Sequence, residues 1–154
     1  MPTSTATSFI LGAGSTFSIS TDGGTTYTPI NQMKTVSFSG EKTAFDDITN
    51  MSSPNAFNEK VPTTIDSGTC SLSGVFDPHD AGQTALQAAR IARTLCSCKL
   101  VLTTMTGDTT GFTRVFNAYV DAAPLSASFD KSVTIAPSFT ITGGFTDTVP
   151  TPTA

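Results

Sequence analysis

Between residues 67 and 76, apolar and small polar side chains alternate. Cys70, Leu72 and Phe76 fall on one side of an extended chain, Ser71 and Ser73 on the other. That is the two-residue period of a strand. Asp77-Pro78 ends it, because proline has no amide hydrogen for a ladder while its φ suits the first turn of a helix. The period then lengthens and predicts a helix over about 78–95, with Asp77 as N-cap and Asp80 as a second carboxylate at the positive end. Ala81, Ala85, Ala88, Ala92 and Leu95 form the face expected to pack, flanked by Leu86 and Ile91. Gln83, Gln87 and Arg90 fall opposite, with Arg93 at the border. No other stretch predicts a helix.

The remaining pattern is strands and loops. Phe17 and Ile19 alternate with Ser18 and Ser20, Asp22-Gly23-Gly24 reads as a hairpin turn, and residues 27–30 return. Residues 33–38 form a strand with Val36 and Phe38 on one face. Residues 99–105 are apolar enough for burial on both faces. Residues 112–121 set Phe112, Arg114, Phe116, Ala118 and Val120 on one side. The cleanest alternation is 132–142, with Val133, Ile135, Phe139 and Ile141 inward; Pro137 demands a bulge or an edge, and Gly143-Gly144 ends the strand.

Residues 41–65 follow no period. Phe45, Ile48, Met51, Phe57 and Val61 are scattered among polar residues, with Pro54 and Pro62 as breakers and Glu41, Asp46, Asp47 and Glu59 giving an acidic tone. This predicts a long loop that acts as an arm packing onto another subunit. Residues 1–8 read as a flexible N-terminus and 146–154 as a tail, with Phe9-Ile10-Leu11 as a short apolar anchor. The expected whole is a single domain over 1–154, mainly β. It is a β-sandwich or barrel of roughly 7–9 strands with one flanking helix.

Charge and composition narrow the function. Only 13% of the 154 residues are charged and the net charge is −4. The surface is therefore built mainly from Thr, Ser, Gly and Asn, and it lacks the clustered Lys and Arg that grip phosphate backbones. No run of 18 apolar residues exists to span a membrane, and the start lacks the pattern of a signal peptide, which predicts a cytosolic product. Cys70, Cys96 and Cys98 are then expected as free thiols that fill space in the core, since only His79 could join them as a metal ligand. His79 reads as a capping or exposed side chain. Asp46-Asp47 lacks the loop of a calcium site, and Asp108, Asp121 and Asp130 are spread over different loops. The glycine pairs lack the helix and Lys-Ser/Thr of a phosphate loop. No catalytic residue, metal site or cofactor is predicted, and no enzyme.

The stretch Gly74, Phe76-Asp77-Pro78, Asp80, Gly82-Gln83 and Leu86 resembles one in the major tail tube proteins of long non-contractile-tailed (siphovirus-type) bacteriophages. The order of elements around it fits as well: an N-terminal hairpin, a Val36-Ser37-Phe38 strand, Asp47-Ile48-Thr49 leading into a long loop, then Leu100-Val101-Leu102, a strand ending in Val120, and the final strand. The resemblance covers roughly residues 9 to 145 and departs at Ser52-Ser53-Pro54 and Val61-Pro62.

The resemblance implies a phage tail tube fold and a structural virion protein. Six copies would close into a ring, and rings would stack into a hollow tail tube that conducts DNA on ejection. The implied partners are further copies of the chain, a tape-measure protein, and tail terminator and distal tail proteins. DNA would be met only in transit. Assembly would take place in the bacterial host cytoplasm, leaving the product in the virion tail. Closing a ring satisfies the sheet edges of every copy, and six copies would carry on the order of −24, a field that repels phosphate. Phe45, Asp46, Asp47, Ile48, Met51, Phe57, Glu59 and Val61 are the candidate contacts of the arm; Glu41, Asp46, Asp47 and Glu59 are the acidic candidates for the bore. Two other readings stand beside this one: a tube subunit of a contractile tail or secretion machine, and a carbohydrate-binding β-sandwich, which the lack of Trp disfavours.

Overall fold

The computed structural model describes residues 12–105 and 107–152. Along them run β1 (Thr16–Ser20), β2 (Thr28–Pro29), β3 (Met33–Ser39), β4 (Lys42–Asp47), β5 (Lys60–Asp66) and β6 (Thr69–Val75). Then come the helix α1 (Ala81–Ala92), β7 (Cys96–Val101), β8 (Thr113–Ala122), β9 (Leu125–Ser128), β10 (Lys131–Ile135) and β11 (Ser138–Thr148). Nine strands make one sheet in the order β2-β1-β7-β8-β11-β6-β10-β9, with β3 on the other edge of β6. Among the described residues the strands β4 and β5 pair only with each other.

The sheet curls around its own core. Phe17 of β1 lies 6.2 Å from Phe116 of β8 and 5.7 Å from Phe139 of β11. Phe38 of β3 lies 5.5 Å from the same Phe116 and 5.7 Å from Phe145. Neighbouring strands stand about 4.8 Å apart, so in a flat sheet β3, three places from β8, could not bring its ring there. Ile19, Cys70, Leu72, Leu86, Cys96, Cys98 and Ala118 complete the interior. The three cysteines are buried and free, as space-filling thiols should be. Burial pushes the Cys70 thiol up to about 12 and the Cys98 thiol well above its ordinary value.

The first hairpin forms where alternation predicts it. Its turn is held by the Asp22 carboxylate, which accepts from the Ser20 hydroxyl and from the amides of Thr25 and Thr26. These bonds, that of Ser20 foremost, lower the Asp22 pKa to about 2.

Five expectations need correction. The helix begins at Ala81 with Asp80, not Asp77, as N-cap; the Asp77 carboxylate instead accepts from the His79 amide and shapes the turn before it. The buried face is Gly82, Gln83, Leu86 and Ala89, whereas Ala81, Ala88, Ala92, Leu95 and Ile91 are exposed. The polar Gln83 is buried because every polar atom of its side chain finds a backbone partner. Residues 132–142 do not form one strand. The chain breaks at Ala136-Pro137, and β10 and β11 lie end to end along β6, with the Leu72 amide donating to the Pro137 carbonyl. Val133 is exposed, while Ile135, Phe139 and Ile141 are buried as expected. Nor does Gly143-Gly144 end β11: Gly143 takes φ +80, the strand bulges there, and pairing with β8 resumes at Thr146 opposite Val115.

The fifth correction concerns residues 41–65, which are a two-stranded hairpin rather than a loop. Past β11, the tail lies against the loop before β8, where Thr109 donates to the Thr151 carbonyl. Residues 1–8 and the anchor at residues 9–11 lie outside the described residues.

Candidate assembly surfaces

The β4–β5 hairpin carries the apolar residues that the sequence left unplaced. Phe45, Ile48, Met51, Phe57, Val61 and Ile65 are all exposed, Phe57 at 72% and Ile65 at 79%. Single exposed apolar residues are ordinary, but six on one hairpin mark it as a candidate contact surface. Alternation is absent here because neither face of the hairpin covers the core.

Its outer end is nevertheless shaped. The Thr49 hydroxyl donates to the Asp47 carboxylate and accepts from the Glu59 amide at 2.9 Å. The Ile48 amide donates to the Glu59 carbonyl, and the Ser53 hydroxyl donates to the Glu59 carboxylate at 2.9 Å. Thr49, foremost through its hydroxyl, holds the Asp47 carboxyl below its usual range. Asp47 and Glu59 thus fix the tip, and Thr49, which no sequence signal singled out, joins them. Asp46 is exposed and pairs in register with Val61. Glu41 sits at the other end of β4, so the four acidic candidates do not gather in one place.

The residues of the strand-to-helix motif form a polar lock instead of a surface. The Gln83 side chain donates to the carbonyls of Val75 at 3.0 Å and Asn31 at 3.2 Å, and accepts from the Asp77 amide at 3.1 Å. Asp80 accepts from the Gln83 amide at 2.9 Å and from the Asn31 side-chain amide at 2.6 Å. The end of β6, the start of α1 and the β2–β3 link are thereby tied together. Gly74 and Gly82 permit the close approach: a β-carbon on either would stand 2.2 Å from a backbone oxygen, of Gln32 or of Pro29. Pro78 sits in the exposed turn before the helix, the Phe76 amide donates to the Val133 carbonyl, and Leu86 is fully buried. Asn31, distant in sequence from Asp80, had no local pattern to reveal it.

A second clamp was also missed. Arg114 of β8 faces Asp147 of β11 in register and donates to it twice, both at 2.8 Å. Its guanidinium lies 4.3 Å from the Phe145 ring centre and 5.3 Å from that of Phe38. Among the described residues, no group of three or more His, Cys, Asp or Glu could hold a metal ion, and no helix is long and apolar enough to cross a membrane.

No protein-family model and no curated sequence matches the chain. Solved structures do. The chain is similar to a protein in the tail of an empty gene transfer agent particle with C6 symmetry, at 12% identity and a TM-score of 0.67, covering 87% of this chain and 95% of that one. It is similar to the SPP1 tail tube at 15% identity and a TM-score of 0.66, covering 90% and 78%. A component of the anti-feeding prophage baseplate is similar at 8% identity and a TM-score of 0.64, covering 87% and 91%. The chain has the phage tail tube fold: a curled sheet with one flanking helix.

Proposed function

We propose that the chain is a structural subunit of a phage tail tube, with six copies closing into a ring and rings stacking around a bore that conducts DNA. What carries this reading is the union of that fold with a detached hairpin whose six large apolar side chains are exposed. A lone molecule gains nothing from such an element; a polymer buries it. Among the described residues the outer edges of β3 and β9 have no partner strand, which supports the same reading, since unpaired strand edges invite pairing with another copy.

The hairpin would bridge copies through Phe45, Ile48, Met51, Phe57 and Val61, with Asp46, Asp47 and Glu59 riding on it. These three and Glu41, at its root, are the acidic candidates for the bore. A tape-measure protein would fill the bore during assembly in the host cytoplasm, and terminator and distal tail proteins would close the two ends. The likeness to the anti-feeding prophage component keeps a second reading in view, the same subunit within a contractile machine. Electron microscopy of concentrated purified protein tests the proposal. Hollow tubes of stacked six-fold rings are expected; a monodisperse monomer under all conditions would overturn it. A sheath around tubes isolated from particles would favour the second reading.

A further inference from the structure

We infer that the hairpin of one copy seats in a groove beside the helix of another, lined by Arg90, Ile91, Arg93, Tyr119, Asp121 and Thr140. The inference rests on the tube reading. The groove, about 470 Å³, runs between the last turn of α1 and the outer face of β8 and β11. It combines apolar surface with two arginines against one carboxylate, Asp121. Ile91 is 79% exposed and Tyr119 is 46% exposed. Among the described residues Arg90 and Arg93 make no ion pair, whereas Arg114 is engaged by Asp147.

The hairpin has the complementary character. Residues 41–66 hold five carboxylates against two lysines, a net −3 of the chain's −4. Asp46 makes no ion pair among the described residues, and the exposed Phe45 and Phe57 supply apolar surface to match Ile91 and Tyr119.

Helix geometry accounts for one of these arginines only in part. A cation near the C-terminus suits the helix dipole, which serves Arg90. Arg93, however, is the C-cap itself and takes φ 55, a left-handed conformation that glycine adopts without strain. An arginine placed there at a backbone cost signals a use for its side chain. A second basic groove is lined by Lys34, Lys131, Ser126, Ser128, Ser132 and Thr134, with no large apolar residue in its lining; the exposed Phe129 lies at the turn beside it. Charge alone would suit either site; charge with apolar surface selects the helix.

The test is cross-linking between copies. Full-length chains carrying D46C are mixed with chains carrying R93C, assembled into tubes and treated with a short bismaleimide; the native cysteines are buried. Covalent heterodimers are expected, and none from D46C mixed with K131C. In parallel, R90E/R93E should slow assembly about tenfold through lost electrostatic attraction, with the monomer's circular dichroism unchanged, and D46K should restore part of the rate. Tubes that form normally but cross-link D46C to K131C, or to neither site, would overturn this inference and leave the tube reading standing. Failure of the unmodified chain to form tubes would overturn both.

Discussion

Gly82 at the start of the helix packs directly on Pro29, so closely that a β-carbon would stand 2.2 Å from the Pro29 carbonyl oxygen and 2.7 Å from the Ile30 α-carbon. Nothing at the contact is a flexible side chain that could move aside. G82A should therefore destabilise the fold by at least the 1–3 kcal/mol typical of overpacking, roughly speaking. G12A, with nothing within 4 Å of its new methyl group, should leave stability within about 0.5 kcal/mol. Urea unfolding of both variants checks this.

Asp80 and Gln83 should be costly to truncate for different reasons. D80A removes the N-cap bond and both bonds to Asn31, a loss of about 1–2 kcal/mol. Q83A strands the Asp77 amide and the carbonyls of Val75 and Asn31, and these groups are partly buried, so the loss should be about 1 kcal/mol, the low end for unpaired polar groups. If the lock acts as one unit, the double variant will lose less than the sum, which a double-mutant cycle in urea reads directly.

The hairpin should separate folding from assembly. F57S and M51S remove exposed apolar surface from an element that pairs only with itself. The melting temperature of the monomer should be unchanged while tube yield falls sharply by sedimentation. Limited proteolysis of the monomer should cut first within residues 48–59, and tubes should be protected there. Equal protection in the free monomer would contradict the proposed bridge.

Acid should loosen the first hairpin in a defined window. The Asp22 carboxyl has a folded pKa of about 2 against an ordinary 3.8. Its hydrogen bonds stabilise the fold fully above the ordinary value, and that contribution fades as pH falls from about 4 toward 2. D22N, which keeps one acceptor without the charge, should flatten the decline in melting temperature between pH 4 and pH 2.

Strands of the main sheet were legible where their apolar residues meet the core, whereas β9, exposed throughout, gave no pattern to read. Phe17 and Ile19, Cys70 and Leu72, Phe139 and Ile141 all fall inward as their alternation predicts. The helix was found, but its buried face was not. Three of the four alanines on the expected face, Ala81, Ala88 and Ala92, lie exposed, because an exposed Ala costs little and a Gln with all its polar atoms bonded can be buried. The hairpin was illegible as structure because it covers no core. The lock at Asn31 and the bulge at Gly143 depend on segments that only the folded chain brings together.

The thiols of Cys70, Cys96 and Cys98 sit in the dry interior on two different strands, each held in its protonated, unreactive form by burial. They make the molecule a clock of its own opening. An alkylating reagent can reach them only when β6 or β7 parts from its neighbours, so the pace of labelling under native conditions counts those events. Recording that pace before and after polymerisation would report how far neighbouring copies quieten the breathing of each one.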